Sequence, residues 1–156
     1  MNVQFKINMN YLRITRKFHF EMAHALWNYD GMCKYIHGHS YKFFVTVIGK
    51  PINNEKNPKN GMLMDFKDLK KIVNNEIIIK YDHSLILFKN FDKKFIDKIN
   101  DERTYFFDFQ PTCENLILFF SEKLKNALPE NVKLFSLKLY ETENSFSEWY
   151  ASDNEN

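Results

Sequence analysis

Apolar and polar positions alternate at the start of this chain. From Tyr11 to His24, Leu12, Ile14, Phe18, Phe20 and Met22 share one parity, broken once by Arg16, while Arg13, Thr15, Lys17, His19 and Glu21 take the other. A period of two with β-branched and aromatic residues predicts a strand. His24 keeps the apolar parity and is expected to point inward where the strand ends. Ala25 to Ile36 reads as a loop with Asp30-Gly31 as its turn signal. His37 to Gly49 reads as a second strand, with His37, His39, Tyr41, Phe43, Val45 and Val47 on one face. Residues 51–61, PINNEKNPKNG, form a polar turn.

The spacing then becomes helical. Phe66, Leu69, Ile72, Val73 and Ile77 make a stripe between Asp65, the expected N-cap, and about Lys80. Tyr81 to Phe109 has no clean period: YDHSLILF reads as a short buried segment, and Lys89 to Arg103 as a mobile charged stretch with some helical character. Pro111-Thr112 opens a second helix with the stripe Leu116, Ile117, Phe120, Leu124 and Leu128, ended by Pro129. Lys133, Phe135, Leu137, Leu139 and Glu141 share a parity in a third strand, Ser145 to Ala151 form a short fourth, and the tail SDNEN is expected to fray. The order is β-β-α-(irregular)-α-β-β, with no repeat or linker. It predicts one domain over residues 1–156, its core at about 11–151.

Composition narrows the functional classes. The chain has 156 residues, enough for a core without disulfide staples and too few for a kinase or a (β/α)8 barrel. A net charge of +2 is poor support for a nucleic-acid or membrane-surface binder. Cys33 and Cys113 are too few for a disulfide framework. The N-terminal residues lack an apolar stretch long enough for a signal peptide, and nothing reads as a membrane span, so a cytoplasmic setting is expected.

The strongest chemical signal is His37-Gly38-His39 with His24 upstream. Side chains two apart on a strand lie on one face roughly 7 Å apart. Two such imidazoles can converge on one metal, and His24 supplies a third if the strands pair as a hairpin. Three neutral imidazoles suit zinc and leave a fourth position free, as catalytic sites require. Cys33, on the loop beside this set, is either a reactive thiol or a fourth ligand that would make the site structural. Asp82-His83 offers a carboxylate that could orient a histidine, although adjacent side chains often point apart. Glu141 is either a buried carboxylate awaiting N–H donors or a strand end turned to solvent. Glu114, in the first turn of the second helix, is explained by the helix dipole alone.

From about Leu12 to Tyr150 the chain resembles the 6-pyruvoyltetrahydropterin synthase / 6-carboxytetrahydropterin synthase family. FHFEMAHAL, CKYIHGHSY, GMLMDFKDLK, YDHSLIL, PTCENL and LYETENSFSEWY follow the family's order. The resemblance implies that His24, His37 and His39 hold zinc. It makes Cys33 the proton acceptor, with Asp82 and His83 completing a relay from a neighbouring subunit. Glu114, helped by Thr112, would anchor the pterin ring, with Glu141 near the pterin and the relay. The implied fold is the α+β tunnelling fold: a four-stranded antiparallel sheet with two helices on one face, trimers closing a β-barrel and two trimers forming a homohexamer.

The implied activity is a zinc-dependent lyase acting on 7,8-dihydroneopterin triphosphate. One branch forms 6-carboxy-5,6,7,8-tetrahydropterin, acetaldehyde and triphosphate for queuosine and related deazapurines; another forms 6-pyruvoyltetrahydropterin. Three residues between Cys33 and His37 resemble the carboxy-forming bacterial branch. A non-catalytic zinc-stabilised binding protein is the alternative of another class.

Overall fold

The computed structural model describes residues 10–92 and 102–154. Strands β1 (Leu12–Ala25) and β2 (His37–Gly49) pair antiparallel along their full lengths, from Leu12 opposite Gly49 to His24 opposite His37. β5 (Val132–Tyr140) pairs antiparallel with β2, and β6 (Phe146–Tyr150) with β5. Helix α1 (Phe66–Val73) continues through a π turn (Asn74–Ile78) into α2 (Ile79–Tyr81). The second long helix is α3 (Cys113–Ala127). Asp65 and Thr112 cap α1 and α3 by accepting the Lys67 and Asn115 N–H groups.

The fold class is the expected one, but the sheet has six strands and is mixed. β3 (Ser84–Phe88) and β4 (Thr104–Phe107) add to the β1 edge in parallel, giving the order β4-β3-β1-β2-β5-β6. Both lie in the stretch where no period was visible. Ser84, Leu85, Ile86 and Leu87 are all buried, so β3 is covered on both faces and its residue types do not alternate. Residues 93–101 of the expected mobile, charged stretch lie outside the described residues, as does the end of the tail; Ala151–Asp153 form a 3-10 turn.

Two further expectations change. Leu134 is buried and Phe135 is not, because a bulge opposite Thr46/Val47 skips Phe135 and reverses the parity of β5. The Arg13 guanidinium stacks on the Phe135 ring thus turned outward, 3.9 Å from its centroid. Phe66 is also exposed: α1 buries Leu69 and Val73, and the line continues through Ile77 and Tyr81. A strict four-residue spacing drifts around an α-helix. The π turn takes more residues per turn and cancels that drift.

These helices cover one face of the sheet. Leu69, Val73, Ile77, Leu116, Phe120 and Leu124 pack on Phe20, Tyr41, Phe43, Val45 and Leu139. Phe120 is the hub, with ring contacts to Phe20, Phe43, Tyr81 and Phe119. The strand residues of this core share a parity with His24, His37 and His39, so the histidines extend the core ladder to one end of the sheet. No helix among the described residues is long and apolar enough to cross a membrane. Phe120→Ala should destabilise the protein by about 3–5 kcal/mol, read as a lowered denaturation midpoint; a loss below about 1 kcal/mol would contradict its place in the core.

Candidate metal centre and active site

The hairpin register brings the three histidines together. His24 faces His37 directly and Met22 faces His39, so all three imidazoles rise from the inward face within two residue pairs. One nitrogen from each lies within 4.8 Å of the other two. His24 is buried; His37 and His39 are half-buried.

Hydrogen bonds fix which nitrogens meet. His24 Nδ1–H donates to the Pro111 carbonyl at 2.6 Å, and His37 Nδ1–H to the Tyr35 carbonyl at 2.8 Å. A carbonyl only accepts, so both rings carry their proton on Nδ1 and present a bare Nε2. Those two Nε2 atoms are 3.1 Å apart. His39 Nε2 is buried without a hydrogen-bond partner. Glu141 Oε1 lies 3.6 Å from His24 Nε2 and 3.9 Å from His39 Nε2. Two bare imidazole nitrogens, a third without a partner and a carboxylate oxygen thus gather at one corner, an arrangement that suits a cation.

Protons supply that cation poorly. Burial is the main cause lowering the His24 pKa to about 4; the Pro111 carbonyl opposes this, and the two neighbouring imidazoles add to it. His39 shifts the same way, chiefly through burial, with Glu141 opposing and His37 adding. Neutral imidazoles oriented by carbonyls on their far nitrogens are the form in which histidine binds a metal. His24, His37 and His39 are thus positioned to hold one, and an all-nitrogen set is compatible with zinc.

The other expected site residues fall in three places. Cys33 sits half-buried on a 3-10 turn (Met32–Lys34) between β1 and β2, its carbonyl accepting the Leu26 N–H at 2.8 Å; its sulfur is not among the converging donors. Thr112 and Glu114 stand at the start of α3, one residue beyond the Pro111 carbonyl that orients His24, with Glu114 exposed. Glu141 follows β5 in the turn to β6, and its carboxylate is turned toward the histidines rather than to solvent.

Asp82 and His83 lie against each other: His83 Nδ1 is 3.0 Å from Asp82 Oδ1, and the same oxygen accepts the Glu21 N–H at 2.8 Å. His83 has a left-handed backbone, φ 57°, which lets two adjacent side chains meet. The pair contacts the outward parity of β1: a cavity of about 380 Å³ is bordered by Glu21, Ala23, Gly38, His39, Ser40 and His83. Sequence reasoning missed the Pro111 and Tyr35 carbonyls, because a backbone group carries no residue-type signal. It also missed Tyr41, the next inward residue after His39. Tyr41 packs on the His39 and His24 rings, and burial, reinforced by the charge of Glu141, keeps its phenol protonated.

With this geometry in place, comparison with known proteins is informative. The model of the 6-pyruvoyl tetrahydropterin synthase family matches residues 13–152. The chain belongs to this family. The 6-carboxy-5,6,7,8-tetrahydropterin synthase of Haemophilus influenzae is 33% identical over 142 residues, 88% of this chain and 97% of its own length. The human 6-pyruvoyl tetrahydrobiopterin synthase is 32% identical over 145 residues, 85% and 87% of the two chains. Among solved structures, the Caenorhabditis elegans 6-pyruvoyl tetrahydropterin synthase superposes with a TM-score of 0.69 at 23% identity, covering 94% of this chain and 99% of that one, which shows the shared fold.

Burial of the imidazoles makes the metal-free protein acid-sensitive. The folded pKa of His24, about 4, lies below its ordinary 6.5, so the unfolded chain takes up the proton first as pH falls. The contribution is whole above pH 6.5 and is lost between there and pH 4, about 3 kcal/mol in all. Thermal unfolding of the metal-free protein across this window should show the loss, and His24→Gln should flatten it. An unchanged slope in that variant would contradict the neutral buried imidazole.

Proposed function

We propose that this protein is a zinc-dependent 6-carboxy-5,6,7,8-tetrahydropterin synthase, converting 7,8-dihydroneopterin triphosphate to 6-carboxytetrahydropterin, acetaldehyde and triphosphate in queuosine and deazapurine biosynthesis. The observation that carries the reading is the convergence of three imidazole nitrogens, two of them oriented from behind by carbonyls. The carboxy-forming name of the Haemophilus influenzae relative and the three-residue gap between Cys33 and His37 support the choice of branch. A zinc ion held by His24, His37 and His39 would supply Lewis-acid polarisation of the substrate's side-chain oxygens.

The chain's own groups do the rest. Cys33, as thiolate, takes the carbon-bound proton. His83, oriented by Asp82, passes protons to and from the side-chain oxygens. In this reading the pair serves a neighbouring copy's cluster. Glu114 and Thr112 hold the pterin ring next to the His24-bearing end of the sheet, an orienting role. Glu141, its carboxylate beside His24 and His39, would sit near the pterin and the relay. A trimer closing a barrel, two of which make a homohexamer, would cover the outward sheet face, where Phe44, Phe135 and Tyr140 stay partly exposed. A cytoplasmic enzyme formed as a single domain fits this reading. Against a zinc site closed by a thiolate stands the donor set, three imidazoles without the Cys33 sulfur.

The expected zinc content is about one ion per chain, lost in His37→Ala and kept in Cys33→Ala; zinc that leaves with the thiol would make Cys33 a ligand. Cys33→Ala should also slow turnover by about 10²-fold or more. Incubating the zinc-loaded protein with 7,8-dihydroneopterin triphosphate and weighing the products decides the branch. Acetaldehyde with carboxytetrahydropterin is expected, pyruvoyltetrahydropterin would move the protein to the other branch, and no turnover from a zinc-loaded chain would end the enzymatic reading.

A further inference from the structure

The turn bearing Asp82 and His83 has a backbone difficulty. α2 ends at Tyr81, leaving its last carbonyls without helical partners. His83 then takes the left-handed conformation that usually falls to glycine at a helix end. Arg103, just before β4, meets both needs. Its Nη2 donates to the carbonyls of Ile79 at 3.2 Å, Lys80 at 3.0 Å and Asp82 at 2.7 Å, and its Nε to that of His83 at 3.3 Å. Its own carbonyl accepts the Leu85 N–H at 3.1 Å, which roots the guanidinium in the β3–β4 ladder. Four carbonyls on one turn call for a planar fork of donors, which a lysine ammonium does not offer.

We propose that Arg103 is the positioning residue of the Asp82–His83 pair, holding the left-handed turn in which His83 Nδ1 reaches Asp82 Oδ1. This rests on the reading of that pair as a proton relay. Arg103 holds the carbonyls of the turn, and the Asp82 carboxylate is fixed separately by the Glu21 N–H. Its removal is expected to leave the metal ligands and the start of α3 in place and to loosen the turn that aims the imidazole.

The experiment compares Arg103→Met and Arg103→Lys with His83→Asn, a residue that tolerates the same backbone shape, all zinc-loaded and assayed with 7,8-dihydroneopterin triphosphate. Arg103→Met is expected to keep its zinc and its KM, to lose kcat on the order of 10²-fold, to shift the pH dependence of kcat, and to recover in part when guanidinium ion is added. Arg103→Lys should fall between it and the wild type. Full kcat in Arg103→Met beside an inactive His83→Asn overturns the positioning role and leaves the relay standing. Full kcat in His83→Asn overturns the relay beneath it. If Arg103→Met does not fold, the lysine variant decides: wild-type kcat and pH profile in a folded Arg103→Lys overturn the proposal, as does loss of zinc in either Arg103 variant.

Discussion

Two peptide carbonyls govern the chemistry of this chain. Pro111 and Tyr35 each hold an imidazole N–H, and by doing so turn the opposite nitrogen, lone pair first, toward the same point. Without them His24 and His37 could satisfy each other with one shared proton. With them, two bare nitrogens stand 3.1 Å apart beside an unpartnered His39 Nε2 and a carboxylate. Burial removes the cheap remedy of protonation. The metal-binding character of the site follows from this geometry and not from histidine content alone.

The surrounding parts extend that arrangement. The carbonyl behind His24 belongs to the peptide leading into α3, so the Thr112–Glu114 helix start and the metal ligands share one support. Glu141, leaving β5, sets its carboxylate beside His24 and His39. The Asp82–His83 pair is mounted separately, on a turn held by the Glu21 peptide and the Arg103 guanidinium.

Much of this was legible in the chain. Alternation marked β1 and β2 because each has one buried and one wetter face, and that parity put three histidines on one side. The stripe of α3 was equally plain, since Leu116, Ile117, Phe120 and Leu124 all face the sheet. β3 escaped because a strand covered on both faces has no period to detect. The reversed half of β5 escaped because its bulge at Phe135 is settled by pairing with β2, not by local residue type. At the site, residue types were readable and backbone acts were not. The Asp82–His83 contact depends on a left-handed residue, and the tautomers of His24 and His37 depend on carbonyls; neither leaves a mark in side-chain order.

The hairpin register carries one last implication. His24, His37 and His39 stand in the same rows as Phe20, Tyr41 and Phe43. Sliding β1 against β2 by a single position would swing His24 and Phe20 to the face opposite His37, His39, Tyr41 and Phe43. A mispaired chain would therefore forfeit its oily interior together with its cation-binding corner. The hairpin proofreads itself: conformers that fail to assemble the ligands also fail to persist.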